Sequence, residues 1–364
     1  MRFLYSAFSF LVIFSAFIVF VVLDGENITI ENVTDEENET NEKNETNEEN
    51  ENSNEIMEND TSTEINVQKT SDIALYKWIN RDVEDLIEEL GEPVRIDPTP
   101  YGYDWYIYHG EENYIQFGAG SEEVITVFTN SQGLKRHKNE IGDHYDEVAS
   151  NYNFDTEHTI NEGLNSYTFE LTEEELSARP LVHVEEDIWA QLYFDTVEEE
   201  LSSVRYLTKD VLLMHRPYSL TYTGTLPEKN TLEGEEAEEW ESGQAKQILD
   251  LSNTIRKQHD KPLLSWHEGA AETAYGHSKE MYEEEYFSHT SPETGSLGDR
   301  LNSNEVAYSL AGENIAAQYT DAIGAVQGWL NSEGHRVNLL NDDFTHLGVG
   351  VHQTFYTQNF ITPR

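Results

Sequence analysis

The sequence predicts an α+β protein: two folded domains with antiparallel strands, carried on a long N-terminal extension. Three observations predict it. An uncharged apolar run fills residues 3–23, and an Asn-, Glu- and Thr-rich run without core-forming patches follows to about residue 70. From there to the C-terminus, apolar residues recur at helical spacing and then in strand-like alternation. The chain has 364 residues, too long for one ordinary core at roughly 100–200 residues per domain.

The extension comes first. Met1-Arg2 precedes an uncharged, largely apolar run of 21 residues, Phe3 to Leu23. That length suits a bilayer-spanning helix of about 20 residues better than the roughly 7–15 of a secretory h-region. The run ends Val-Val-Leu-Asp-Gly, with no small-x-small cleavage site. The expectation is an uncleaved, single-pass signal anchor over 1–23 with Arg2 inside; the alternative is a long cleaved signal peptide. Either way the rest is exported. Residues 24–70 carry 16 Asp and Glu against two Lys, so they read as a disordered, self-repelling spacer.

The whole chain has 71 acidic and 22 basic residues, a net charge of −49. This argues against a nucleic-acid partner, which needs clustered Lys and Arg. The acidity of the folded part reads as solvated surface, with an acidic cation site as the alternative. No cysteine is present, which excludes disulfides, thiol catalysis, a lipid-modified Cys and Cys-type zinc sites.

The first folded domain is expected over 71–218. Val83, Leu86, Ile87 and Leu90 form a helical stripe that Gly91 and Pro93 end. Strands are expected at 104–108, 114–117, 124–129, 167–171, 181–185, 188–194 and 204–207, with a short helix over 209–215. The aromatic run Tyr101 to Tyr108 reads most simply as alternation on a half-buried strand, with a ligand face as the alternative. His109, His137 and His183 stand alone in sequence. Residues 219–244, rich in Thr, Gly and Glu, read as a linker.

The second domain is expected over 245–364. A helix begins near Gln244 with Ile248, Leu251 and Ile255 as its stripe, and Pro262 follows its end. A second covers about Trp266 to Tyr282, with Ala270, Ala274, His277 and Met281 on one side. A third covers Ala322 to Leu330, and strands over 346–352 and 355–361 close the chain.

Several ordered motifs here resemble the CAP superfamily (cysteine-rich secretory proteins, antigen 5, pathogenesis-related proteins), in a bacterial, Cys-free form. They are Asn253, Arg256, Pro262-Leu263, Trp266, His277, Met281, Phe287 to Pro292, Asp299-Arg300, Gly312 to Ala316, Trp329 to Arg336, Asn338 to Leu340, and Phe344 to Gly350. The resemblance implies an α-β-α sandwich, with helices on both faces of a small antiparallel sheet. The segments Leu90 to Asp97 and Tyr101 to Tyr103 resemble the domain that precedes CAP domains in some Bacillus-like exported proteins.

In that family a His-and-Glu cluster lines a central cavity, and the resemblance places its first His at His289 and its first Glu at Glu313. Many relatives carry a second Glu where this chain has Ser332; Glu333 is one residue further, about 100° around a helix. His346 is offset from the last His of the family pattern, and His335 is a candidate for the missing ligand. The candidate cleft is therefore His289, Glu313, His335 and His346, with His289 and His346 as metal ligands. Two neutral imidazoles and a carboxylate suit a weak site for Zn²⁺ or a similar divalent cation, completed by water. The bland alternative is that these residues brace loops. Ser288 and Ser291 flank His289, but no nucleophile-elbow pattern is present.

Three functions follow as expectations. The leading one is a non-catalytic binding module displayed outside the cell, membrane-anchored, with a cation and a small, lipid or cell-wall ligand in its cleft. The second is a metal-dependent hydrolase acting on peptide or wall, with Glu313 catalytic. The third is a structural or adhesive surface protein.

Overall fold

The computed structural model describes residues 73–110 and 113–364. The expected anchor over 1–23 and spacer over 24–70 lie outside the described residues. Among the described residues no helix is long and apolar enough to cross a membrane.

The N-terminal domain opens with a 3-10 turn, Leu75–Trp78, and α1 (Val83–Leu90). Leu86 and Leu90 are the buried residues of α1, and Gly91 ends it at φ 89°, a backbone state that glycine adopts without a Cβ penalty. Seven strands follow: β1 (Arg95–Asp97), β2 (Asp104–His109), β3 (Tyr114–Gly120), β4 (Glu123–Thr129), β7 (Leu181–Glu185), β8 (Ile188–Asp195) and β9 (Glu200–Thr208). They form one sheet in the order β1-β2-β3-β4-β9-β8-β7, antiparallel throughout. Two meanders thus meet edge to edge at β4 and β9. Between them the chain makes α2 (Tyr145–Asn151), β5 (Glu157–Glu162), β6 (Asn165–Glu170) and α3 (Glu173–Ala178); after β9 comes α4 (Lys209–His215). Tyr103 and Trp105, from the aromatic run, are buried. They are core, as pleated alternation on a strand dictates.

Residues 219–244 are not a linker throughout. β10 (Ser219–Thr223) pairs antiparallel with β6, and α5 runs over Glu235–Gln258, starting nine residues before the expected Gln244. Glu235, Glu236 and Glu238 lie in the first turn of α5, where negative charge complements the helix dipole. Composition alone marks the same residues as solvated connection.

The C-terminal domain continues with β11 (Ser265–Trp266), α6 (Glu268–Glu283), α7 (Leu297–Ser303), β12 (Tyr308–Ala317), α8 (Ala322–Leu330), α9 (Glu333–Leu339), β13 (His346–His352) and β14 (Phe355–Pro363). Its sheet order is β11-β13-β14-β12. Only the two-residue β11 runs parallel to its neighbour, β13. α6 lies against one face so closely that a Cβ on Gly348 would come 2.2 Å from Ala271 N. α5 covers the other face: its Ser252 accepts from Gln358 Nε2 at 2.9 Å, and Ile248, Leu251 and Ile255 are buried. α8 and α9 flank α5. The layers are helix, sheet, helix, with β12 at an edge.

The two domains share a core. One apolar cluster runs from Trp105, Phe169 and Tyr193 of the first into Ile248, Val326 and Trp329 of the second. Around it, the buried Arg205 and Asp321 form an ion pair, Gln247 Nε2 donates to Asp97 Oδ2 at 2.8 Å, and Arg95 Nη2 donates to Asp250 Oδ2 at 2.9 Å.

Candidate functional site: a histidine pair at the edge of the C-terminal sheet

Glu313 sits in the middle of β12, opposite Asn359 of β14 and, through it, Gly348 of β13. Paired residues share a face, so the Glu313 side chain lies on the side that α6 covers. It is almost completely buried. The loop after α6 brings His289 to it: His289 Nδ1 is 2.9 Å from Glu313 Oε1. The other oxygen, Oε2, accepts from Arg300 Nη2 of α7. Burial alone pushes the Glu313 carboxyl up; the His289 hydrogen bond and the Arg300 guanidinium together outweigh it, so the carboxyl sits below its usual range. An ionised carboxylate only accepts, so His289 Nδ1 carries the proton and its Nε2 offers a lone pair whenever the ring is neutral.

The backbone around His289 is held from two directions. His277, buried on α6, donates from Nε2 to Ser288 O at 3.0 Å. Arg300 Nη1 donates to His289 O and to Gly295 O, both at 2.9 Å. Ser288 and Ser291 turn to other tasks: Ser288 Oγ accepts from Thr290 N at 3.1 Å, and Ser291 Oγ donates to Glu280.

His335 arrives from the opposite helical layer, around the β12 edge. Its ring centre is 6.4 Å from that of His289. Asn314 and Asn338 fasten α9 to the strand: Asn314 Nδ2 donates to His335 O at 3.1 Å, and Asn338 Nδ2 donates to Glu313 O at 3.1 Å and Asn314 Oδ1 at 3.0 Å. Ser332 is the N-cap of α9, and its Oγ is 2.8 Å from His335 Nδ1. A short hydroxyl one turn before His335 thus orients the ring. Burial first, and then the neighbouring His289, push the His335 pKa down to about 4, so this imidazole is neutral at physiological pH.

The structure brings His289, Glu313 and His335 together and leaves His346 apart. His346 starts β13, two strands from β12 and two residues before Gly348. At usual strand spacing and rise, that separates its α-carbon from that of Glu313 by about 12 Å. Its neighbours are Thr345, whose Oγ1 is 2.8 Å from His346 Nδ1, and His267, whose ring centre is 5.9 Å away. The expected pairing of His289 with His346 is therefore corrected: the imidazole that lies beside His289 is that of His335. Glu333 begins α9 and is exposed. Sequence reading also passed over Arg300, Asn314 and Asn338 as site residues, although each lies in a motif that it recognised.

The donor set fits a divalent cation weakly. Two imidazole nitrogens binding one ion at about 2.0–2.1 Å place their ring centres roughly 5–6 Å apart, slightly closer than the 6.4 Å here. The Glu313 hydrogen bond to Nδ1 of His289 is the outer-shell contact that metal-binding imidazoles use. Among the described residues no group of three or more His, Asp or Glu side chains is placed to hold a metal ion.

Residues 79–218 match the family described as CAP-associated N-terminal, and residues 249–362 match the cysteine-rich secretory protein family. The membrane protein YlbC of Bacillus subtilis is 42% identical over 288 residues, covering 79% of this chain and 83% of that protein. An extracellular protein with an SCP domain from Bacillus anthracis is 42% identical, with a TM-score of 0.77 over 89% of this chain and 99% of its own. A cysteine-rich secretory protein from Staphylococcus aureus is 26% identical, with a TM-score of 0.70 over 80% and 96%. The chain belongs to the cysteine-rich secretory protein (CAP) family, in the form in which a CAP-associated N-terminal domain precedes the CAP domain.

Proposed function

We propose that this is an extracellular, membrane-anchored binding module whose cleft takes a divalent cation such as Zn²⁺ on Nε2 of His289 and of His335. A cation held there would leave open positions for a small, lipid or cell-wall ligand at the cell envelope. The observation that carries the reading is the double engagement of Glu313, Oε1 with His289 and Oε2 with Arg300. A carboxylate locked on both oxygens orients an imidazole well. It is a poor general base, because the His289 hydrogen bond and the Arg300 guanidinium hold it below its usual carboxylate range and so weaken its pull on a proton from water. This favours binding over metal-dependent hydrolysis. When bound, the cation would supply a Lewis-acidic anchor; the chain's part is to fix the tautomer of His289, to keep His335 neutral and to hold both rings at the strand edge.

Anchoring rests on the 21-residue apolar run and on the acidic spacer after it. It agrees with the membrane naming of the B. subtilis relative and the extracellular description of the B. anthracis protein. Calorimetric titration with Zn²⁺ tests the cleft: one weak site is expected, lost in His289→Ala. An absence of cation binding contradicts the metal reading, and turnover of a peptide or peptidoglycan substrate that Glu313→Gln abolishes reinstates the hydrolase.

A further inference from the structure

We propose that the β8–β9 turn of the N-terminal domain is a positioning clamp for the cleft, acting through Arg336 and Asn331 to set His335. The residue just before the α9 N-cap and the residue just after His335 are both held by this one turn. Asn331 Oδ1 accepts from Thr196 N at 2.9 Å and Thr196 Oγ1 at 3.2 Å, and Asn331 Nδ2 donates to Phe194 O at 2.8 Å. Arg336 Nη1 donates to Asp195 Oδ2 at 2.7 Å and Leu330 O at 3.2 Å, while its Nη2 reaches Glu198 Oε1 at 3.3 Å. The turn is itself braced, because Asp195 Oδ1 accepts from Val197 N at 3.0 Å and Glu198 N at 3.2 Å.

The clamp is built to be stiff. The side chains of Asp195 and Arg336 are 4% and 12% exposed, so solvent screens the pair little. His259 Nε2 also lies 3.4 Å from Asp195 Oδ2, tying α5 into the same knot. α9 has seven residues, too few to persist without tertiary support. Its place at the β12 edge therefore depends on the two asparagines of the cleft and on this turn. The N-terminal domain supplies no cleft ligand; it supplies the geometry of one.

This inference rests on the reading that His335 belongs to the cation site, and the experiment separates the two. In the full chain, Asp195→Asn and Asn331→Ala each cut the clamp. Arg95→Gln cuts a different inter-domain ion pair, with Asp250, and serves as control. Three quantities are measured: amide exchange over residues 333–339, the His335 ring resonances at fixed pH, and Zn²⁺ affinity. Both clamp variants are expected to speed exchange in α9 roughly tenfold, to move the His335 resonances and not those of His346, and to weaken Zn²⁺ on the order of tenfold. Arg95→Gln leaves all three unchanged. Unchanged α9 exchange and His335 resonances in both clamp variants, or the same changes in Arg95→Gln, overturn the clamp. A wild-type chain that binds no Zn²⁺ overturns the functional reading, while exchange and resonances still judge the clamp.

Discussion

Glu313 Oε1, buried, lies 2.9 Å from Nδ1 of the exposed His289, across the edge strand from His335. Replacing Glu313 by Gln keeps the shape and removes the charge. The Arg300 side chain, only 4% exposed, then loses its counter-charge. The expected cost is about 3 kcal/mol of folding stability, read from denaturant midpoints at constant m-value. Zn²⁺ affinity should fall 10- to 100-fold if cation binding uses the oriented His289. A stable variant with unchanged affinity argues that Glu313 neither balances Arg300 nor orients His289.

The close approach of α6 to β13 makes a second prediction. A Cβ on Gly350 would come 1.9 Å from Tyr275 N and 2.2 Å from Ala274 C. These are backbone atoms, so no side-chain rotation relieves the overlap. Gly350→Ala is expected to destabilise by about 3 kcal/mol or more, visible as a lowered thermal midpoint. Gly276→Ala meets nothing within 4 Å, and at that helical position it should be neutral or slightly stabilising.

The shared core predicts joint unfolding of the two domains. Arg205 and Asp321 pair across the interface with side chains 3% and 5% exposed. Asp321→Asn keeps the cap of α8, where Asp321 Oδ1 accepts from Gly324 N at 3.0 Å, but leaves the Arg205 charge uncompensated. A loss of about 3 kcal/mol is expected. Calorimetry should show one transition for both domains in the wild type. Two separate wild-type transitions contradict a shared core.

Stability should fall with acid from near neutrality. Burial, and then the Arg205 guanidinium, push His215 down from 6.5 to about 3. The unfolded chain therefore takes up a proton at a pH where the folded chain does not. The contribution is fully present above pH 6.5 and is lost as pH falls toward 3. For a group this buried the loss is on the order of 4 kcal/mol. His335, half-buried and pushed down to about 4, adds to the same sign with more solvent screening. His215→Gln should flatten the stability curve between pH 6.5 and 4; parallel curves for variant and wild type refute this source.

Much of the fold was legible because its signals are local. The strands at 181–185 and 346–352 and the helices at 209–215 and 322–330 fall where alternation or helical spacing put them. The early turns of α5 are hidden in the sequence because the residues that bury them, such as Trp240 and Gln244, lie in a Glu-rich stretch that resembles solvated linker. The site was partly legible. His289 and Glu313 are named by motif, and their contact bears out neither a role nor a metal. The sequence favoured His346 over His335 as the partner of His289, because nothing local says which side of a sheet edge a short helix reaches. Arg300 escaped notice because a buried arginine is recognised by its partner, and that partner is 13 positions away.

The proposed cation site belongs to His289 and His335. Calorimetric Zn²⁺ titration of the wild type beside His289→Ala, His335→Ala and His346→Ala tests it most directly. One weak site is expected in the wild type, lost in the first two variants and kept in His346→Ala. Binding that survives His335→Ala and disappears in His346→Ala, or no binding in the wild type, contradicts it.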